Sequence, residues 1–137
     1  ARGGARRTER FLRRAGINPR PLTITDGSGL SRKNLITPRA LRKLLVHMDA
    51  HAARDAFLAS LPRGGERNTT LQGRLAQTGV QAKTGSLSFV RALSGYVLQA
   101  DGTRMAFVLF ANNYTGPSYQ VTRTMNAIVR LLKRRPS

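Results

Sequence analysis

Cysteine and tryptophan are both absent from the 137 residues. Without a thiol the chain has no disulfide framework, no thiolate metal site and no cysteine nucleophile. Aromatic residues make up only 6%, which leaves no stacking platform for bases, and no zinc-finger or helix-in-groove pattern accompanies them. No apolar run approaches the roughly 20 residues that span a bilayer. The opening stretch, ARGGARRTERFL, has no methionine and no apolar signal-peptide core. The expectation is a cytosolic chain or one whose beginning is missing.

Acidic residues are scarce as well, six against 24 Lys and Arg, for a net charge of +18. Glu9, Asp49, Asp55, Glu66 and Asp101 show no pairing that would suit acid/base work. Such a surface attracts polyanions through its long-range field. The arginines are nevertheless scattered, with clusters only at Arg6 and Arg7, Arg13 and Arg14, and Lys133 to Arg135. They read as solvated faces, and specific nucleic-acid binding is not expected.

What is present suits a globular fold. Apolar residues are 40%, with 13 Gly and 6 Pro, and a chain of this length buries about two thirds of its unfolded surface. Residues 8–14 read as a helix end with Phe11, Leu12 and Ala15 on one face, stopped by Gly16 and two prolines. A short strand, LTITD, and a Gly/Ser-rich loop, DGSGLSRKN, follow. Thr37 is an N-cap before Pro38, and Leu41, Leu44, Leu45 and Met48 form a helical stripe. A further helix is expected near residues 52–58, then a polar loop, LPRGGERNTTLQG, and a short helical piece at 71–76.

From Val80 the pattern turns to strand, bend, strand, turn, strand. Asp101 and Gly102 lie between ALSGYVLQA and TRMAFVLFANN, a hairpin signal of the type I′ kind. An amphipathic helix closes the chain, with Val121, Met125, Ile128, Val129 and Leu132 inward. The fold class is α/β (α+β): an antiparallel sheet with helices packed on it.

One stretch stands out, VQAKTGSLS at residues 80–88. Lys83-Thr84-Gly85-Ser86 on an edge strand is a good carboxylate receptor. The ammonium supplies charge, the hydroxyls supply donors, and glycine lets a ligand backbone come close. A second stretch, DGSGLSRKNLITP at residues 26–38, lies about 50 residues upstream.

Together the two stretches resemble the D-alanyl-D-alanine carboxypeptidase/endopeptidase family, the class C low-molecular-mass penicillin-binding proteins. SLP before the glycines, Ser94-Gly95-Tyr96, and Arg104-Met105-Ala106-Phe107 add to the likeness. The resemblance covers most of the chain from Asp26 onward and implies a serine acyl-enzyme acting on peptidoglycan peptide stems and β-lactams outside the bacterial cytoplasm, in the periplasm or beyond. It implies no cofactor and no metal.

The family's Ser-x-x-Lys and Ser-x-Asn motifs are both missing here: no serine has a lysine three positions on, and Ser31 to Asn34 is one residue too long. The expectation is that residues 1–137 are the C-terminal part of one domain of the penicillin-binding/β-lactamase-like transpeptidase fold. Its N-terminal part would be this chain's first partner.

The roles follow from the resemblance. Lys83 would be the cation of the family's third motif, and the Ser86 N–H one of two oxyanion-hole donors. Thr84 and Ser86 would offer hydroxyls to the substrate carboxylate, with Gly85 keeping the edge open. Leu30, Arg32 and Leu87 would line the pocket for the diaminopimelyl side chain, Arg32 meeting its free carboxylate. Asp26, Ser28 and Gly29 would be structural.

Other motifs carry less. His47 and His51 are four apart on a helix, but HMDAH has no Glu after the first His and no third ligand. NTT and NYT match glycosylation sequons by chance. The rival reading is a small basic polyanion-binding protein without catalysis.

Overall fold

The computed structural model describes residues 2–133. Arg134 and Arg135 of the last basic cluster lie outside them. The chain divides into two compact units, residues 1–51 and 52–137.

In the first unit, α1 (Arg2–Arg14) ends as its sequence demands. Gly16 adopts φ +71°, and the N–H groups of Ile17 and Gly16 donate back to the carbonyls of Leu12 (2.8 Å) and Arg13 (3.1 Å). This is a Schellman closure, and the apolar contact that accompanies such closures is present, because Leu12 and Ile17 share a small core with Ala40. Arg6, Arg7, Arg13 and Arg14 are solvated. Helix α2 (Pro38–Asp49) starts at Thr37, whose hydroxyl accepts from the Ala40 N–H at 3.2 Å, and buries Ala40, Leu45 and Met48.

The expected strand at LTITD is reduced to a single bridge, Thr23 with Leu35. The reason is local. Asn34 Oδ1 accepts from the N–H groups of Thr25 (2.7 Å) and Asp26 (3.3 Å), so a side chain takes the donors that a ladder would use.

The second unit holds α3 (Arg54–Ala59), β1 (Val80–Leu87), β2 (Val90–Leu98), β3 (Arg104–Asn112) and α4 (Ser118–Lys133). The strands form an antiparallel sheet in the order β1-β2-β3. On one face Val80, Ala82, Leu93, Val97 and Phe107 pack with Met125 and Val129 of α4 and with Leu71 and Leu75. Strand alternation and the α4 stripe thus converge on one core. Val121 and Leu132 pack against it as the pattern predicts, whereas Ile128 remains 37% exposed.

Two local expectations fail. Residues 71–76 are turns rather than helix, because Gly73, Leu75 and Gln77 all have positive φ. The Gly65 N–H bonds the carbonyls of both Leu71 and Arg74, claiming acceptors that a helix would need. The i, i+4 spacing of Leu71 and Leu75 reflects burial alone. The β2–β3 turn is also not type I′: only Gly102 has positive φ (+86°), and Gln99 pairs with Thr103. The result is a three-residue loop, with the Asp101 carboxylate accepting from the Thr103 N–H and hydroxyl.

Candidate functional site

The site is built on β1. Antiparallel pairing turns backbone groups alternately inward and outward along a strand. Ala82 sends its N–H outward to the Pro62 carbonyl at 2.9 Å, and the Val80 carbonyl accepts from the Gly64 N–H at 2.9 Å. Thr84 and Ser86, two and four residues on, therefore aim their N–H and C=O groups at the same outer edge. Lys83, Gly85 and Leu87 pair inward, with Ser94, Ala92 and Val90. The covering segment bridges β1 only at Arg63 and Gln81. Among the described residues no strand lies on the edge beyond Ala82, and the Thr84 and Ser86 amides make no backbone hydrogen bond to a covering segment.

Side chains alternate too. Thr84 and Ser86 share the face of Val80 and Ala82, and Lys83 starts from the opposite one. The exposed Lys83 side chain nonetheless folds back to the edge, where its Nζ donates to the outward Thr84 carbonyl at 2.7 Å. One strand edge thus gathers an ammonium, two outward-facing amides and two hydroxyls, the donor set of an anion receptor. A Cβ on Gly85 would sit 3.1 Å from that of Ala92, a tight contact with a single methyl. Leu87 is half-buried, and its carbonyl accepts from Arg91 Nη1 at 2.9 Å.

A cleft of about 430 Å³ opens beside the edge, lined by Ser60, Pro62, Asn68, Thr69, Thr70 and Lys83. The Thr84 hydroxyl donates to that of Thr70 at 2.8 Å. Thr70 is held in turn, for Arg74 Nη1 donates to its carbonyl at 3.4 Å while Nη2 donates to Asn126 Oδ1 at 2.9 Å. Burial pushes the Arg74 guanidinium below its ordinary pKa, and its Nε is buried without a hydrogen-bond partner. Sequence reasoning passed over Thr70, Arg74 and Asn126. The first sits in a polar loop of no regular pattern, and the other two read as one arginine and one asparagine among many.

Leu30 and Arg32 belong to the first unit, in the Asp26–Asn34 loop. Leu30 is 73% exposed, and Arg32 is exposed as well. The loop is organised by Asp26, whose Oδ1 accepts from the Ser28 hydroxyl (2.9 Å), the Ser28 N–H (3.1 Å) and Asn34 Nδ2 (3.1 Å). The hydrogen bonds from Ser28, then that from Asn34, hold its carboxyl below the ordinary carboxylate value. Asp26 and Ser28 are structural in this sense, and Gly29 adopts φ +72°. The His47 and His51 rings lie 5.4 Å apart, with His47 edge-on to Phe11. Among the described residues no group of three or more His, Asp or Glu is placed to hold a metal ion, and no helix is long and apolar enough to cross a membrane.

Residues 1–135 match the model of the D-Ala-D-Ala carboxypeptidase 3 (S13) family. The D-alanyl-D-alanine carboxypeptidase of Actinomadura sp. (strain R39) is 36% identical over 118 residues, 80% of this chain and 22% of that protein. The D-alanyl-D-alanine carboxypeptidase DacB of Haemophilus influenzae is 34% identical over 112 residues, 77% of this chain and 23% of its own. The crystal structure of penicillin binding protein 4 (dacB) from Haemophilus influenzae, complexed with a novel β-lactam, superimposes with a TM-score of 0.81 at 28% identity. That match covers 93% of this chain and 32% of the other. The chain therefore spans less than a quarter of the length of these two curated relatives. No similarity of this kind favours the polyanion-binding reading.

Proposed function

This chain belongs to the D-Ala-D-Ala carboxypeptidase 3 (S13) family, and from that premise we propose that it is the C-terminal part of the catalytic domain of a serine D-Ala-D-Ala carboxypeptidase/endopeptidase. The substrate is the peptide stem of peptidoglycan, and the enzyme works outside the cytoplasm. The nucleophilic serine and its lysine base come from an N-terminal part carrying Ser-x-x-Lys and Ser-x-Asn. This chain supplies the strand against which the substrate lies.

The terminal carboxylate of the stem, or of a β-lactam, sits at the open edge of β1. Lys83 provides its counter-charge, and Thr84 and Ser86 donate hydroxyl hydrogen bonds to it. The Ser86 N–H is one oxyanion-hole donor. It stabilises the charge that develops on the carbonyl oxygen as the serine adds, and the bond to the leaving D-alanine then breaks to give the acyl-enzyme. Gly85 leaves the edge clear for the substrate backbone. Arg32, in the Asp26–Asn34 loop with Leu30, pairs with the free carboxylate on the side chain of the residue before the scissile bond, and Leu87 flanks the substrate at the end of β1.

The observation that carries this reading is the outward turn of the Ser86 amide on an uncovered edge, next to the Lys83 ammonium. The test uses the full-length protein with a fluorescent penicillin and a peptide ending in D-Ala-D-Ala. Covalent labelling together with D-alanine release is expected. Absence of both, alongside salt-dependent binding of an anionic polymer, would overturn the proposal in favour of its rival.

A further inference from the structure

We propose that Arg74, anchored by Asn126, is a positioning residue that sets the Thr84 hydroxyl for its carboxylate through Thr70. The proposal rests on the reading of β1 given above.

Arg74 is an expensive residue where it stands. Its guanidinium is half-buried, among the described residues no carboxylate pairs with it, and one of its nitrogens is buried without a partner. An apolar side chain of similar volume would fill the space at lower cost. What arginine adds is a rigid fork reaching two points at once. One prong takes Asn126 Oδ1 on α4, and the other takes the Thr70 carbonyl in the loop beside β1, 52 and four residues away in sequence. Asn126 is a firm anchor, 8% exposed and adjacent to the buried Met125. The loop is thereby fastened to the helix behind the sheet, with its Thr70 hydroxyl 2.8 Å from that of Thr84.

Hydroxyl hydrogens rotate to suit their surroundings. Thr84 donates to Thr70. When an anion arrives, Thr84 turns its hydrogen to the carboxylate and accepts one from Thr70, so the two hydroxyls polarise each other in series. A Thr70 hydroxyl displaced by an ångström loses this support. Arg74 never touches the substrate; it keeps Thr70 where the relay works.

The test measures second-order acylation of the full-length protein by benzylpenicillin and by its methyl ester, which presents the same reactive carbonyl without a carboxylate. Arg74→Lys keeps the charge but cannot span both acceptors. It should slow benzylpenicillin roughly 3- to 10-fold, the worth of one hydrogen bond, and leave the ester within about twofold. Thr70→Val should behave alike, and adding Arg74→Lys to Thr84→Val should cost nothing more. Should Arg74→Lys fail to fold, Asn126→Ala, which frees the far prong, carries the same expectation. Equal losses on both probes, or a loss that adds to that of Thr84→Val, would reduce the network to general stability and overturn the proposal. If the wild type prefers benzylpenicillin and every variant keeps that preference, the proposal falls alone. If the wild type reacts with neither probe, the reading of β1 falls with it.

Discussion

Gly95→Ala is the substitution with the plainest structural consequence. Gly95 faces Ala82 across the β1–β2 pair, and an added Cβ would lie 2.1 Å from the Gln81 carbonyl oxygen, 2.6 Å from Ala82 Cα and 2.8 Å from Ala82 Cβ. None of these atoms can swing aside, so β1 itself must retreat by about 1 Å to restore ordinary contact distances. That retreat breaks the neighbouring ladder bonds of Gln81 with Tyr96 and of Lys83 with Ser94. Losing two to four bonds at about 0.5–1.5 kcal/mol each, with some overpacking strain, gives a cost of roughly 3–5 kcal/mol. Gly85→Ala is the control, because its new methyl meets only the Ala92 methyl at 3.1 Å; it should cost under about 1 kcal/mol. Urea denaturation of the full-length protein reads both. A Gly95→Ala variant within about 0.5 kcal/mol of wild type, or one no worse than Gly85→Ala, would mean that β1 absorbs the added methyl without retreating.

Three further outcomes are expected. Arg32→Ala should slow hydrolysis of peptides with a diaminopimelyl end while sparing simple penicillins; equal losses on both would make Arg32 structural. The Asp26 carboxyl, stabilised as the anion by Ser28 and Asn34, should titrate below its ordinary 3.8. Its support of the loop is then complete above that value and lost only as pH falls through the lowered one. An NMR titration midpoint at or above 3.8 would contradict this, and Asn34→Ala should raise it. Residues 1–137 alone, which carry no Ser-x-x-Lys motif, should take up no fluorescent penicillin covalently, and a labelled band would refute that.

The readable parts of this fold are those where local chemistry and long-range packing agree. Gly16 and Thr37 close and open helices with bonds made a few residues away, so their signals survive folding intact. The strands were legible because alternation on β1 to β3 matches a single covered face. Failures came where a distant or side-chain partner took over the backbone. Asn34 took the amides of Thr25 and Asp26, and Gly65 took the carbonyls of Leu71 and Arg74. At the site, Lys83 to Leu87 lie on one strand and were legible as a unit. Thr70, Arg74 and Asn126 were not, since their meaning arises from a contact 52 residues long.

In the proposed mechanism β1 is the strand that receives the substrate carboxylate. The most direct test of this role is the benzylpenicillin acylation rate of the full-length Lys83→Ala variant against wild type. Losing the charge at the strand edge should lower transition-state stabilisation by roughly 2–4 kcal/mol, with the fold unchanged because, among the described residues, the exposed Lys83 side chain bonds only its neighbour's carbonyl. An unaltered acylation rate in a folded variant would contradict this role.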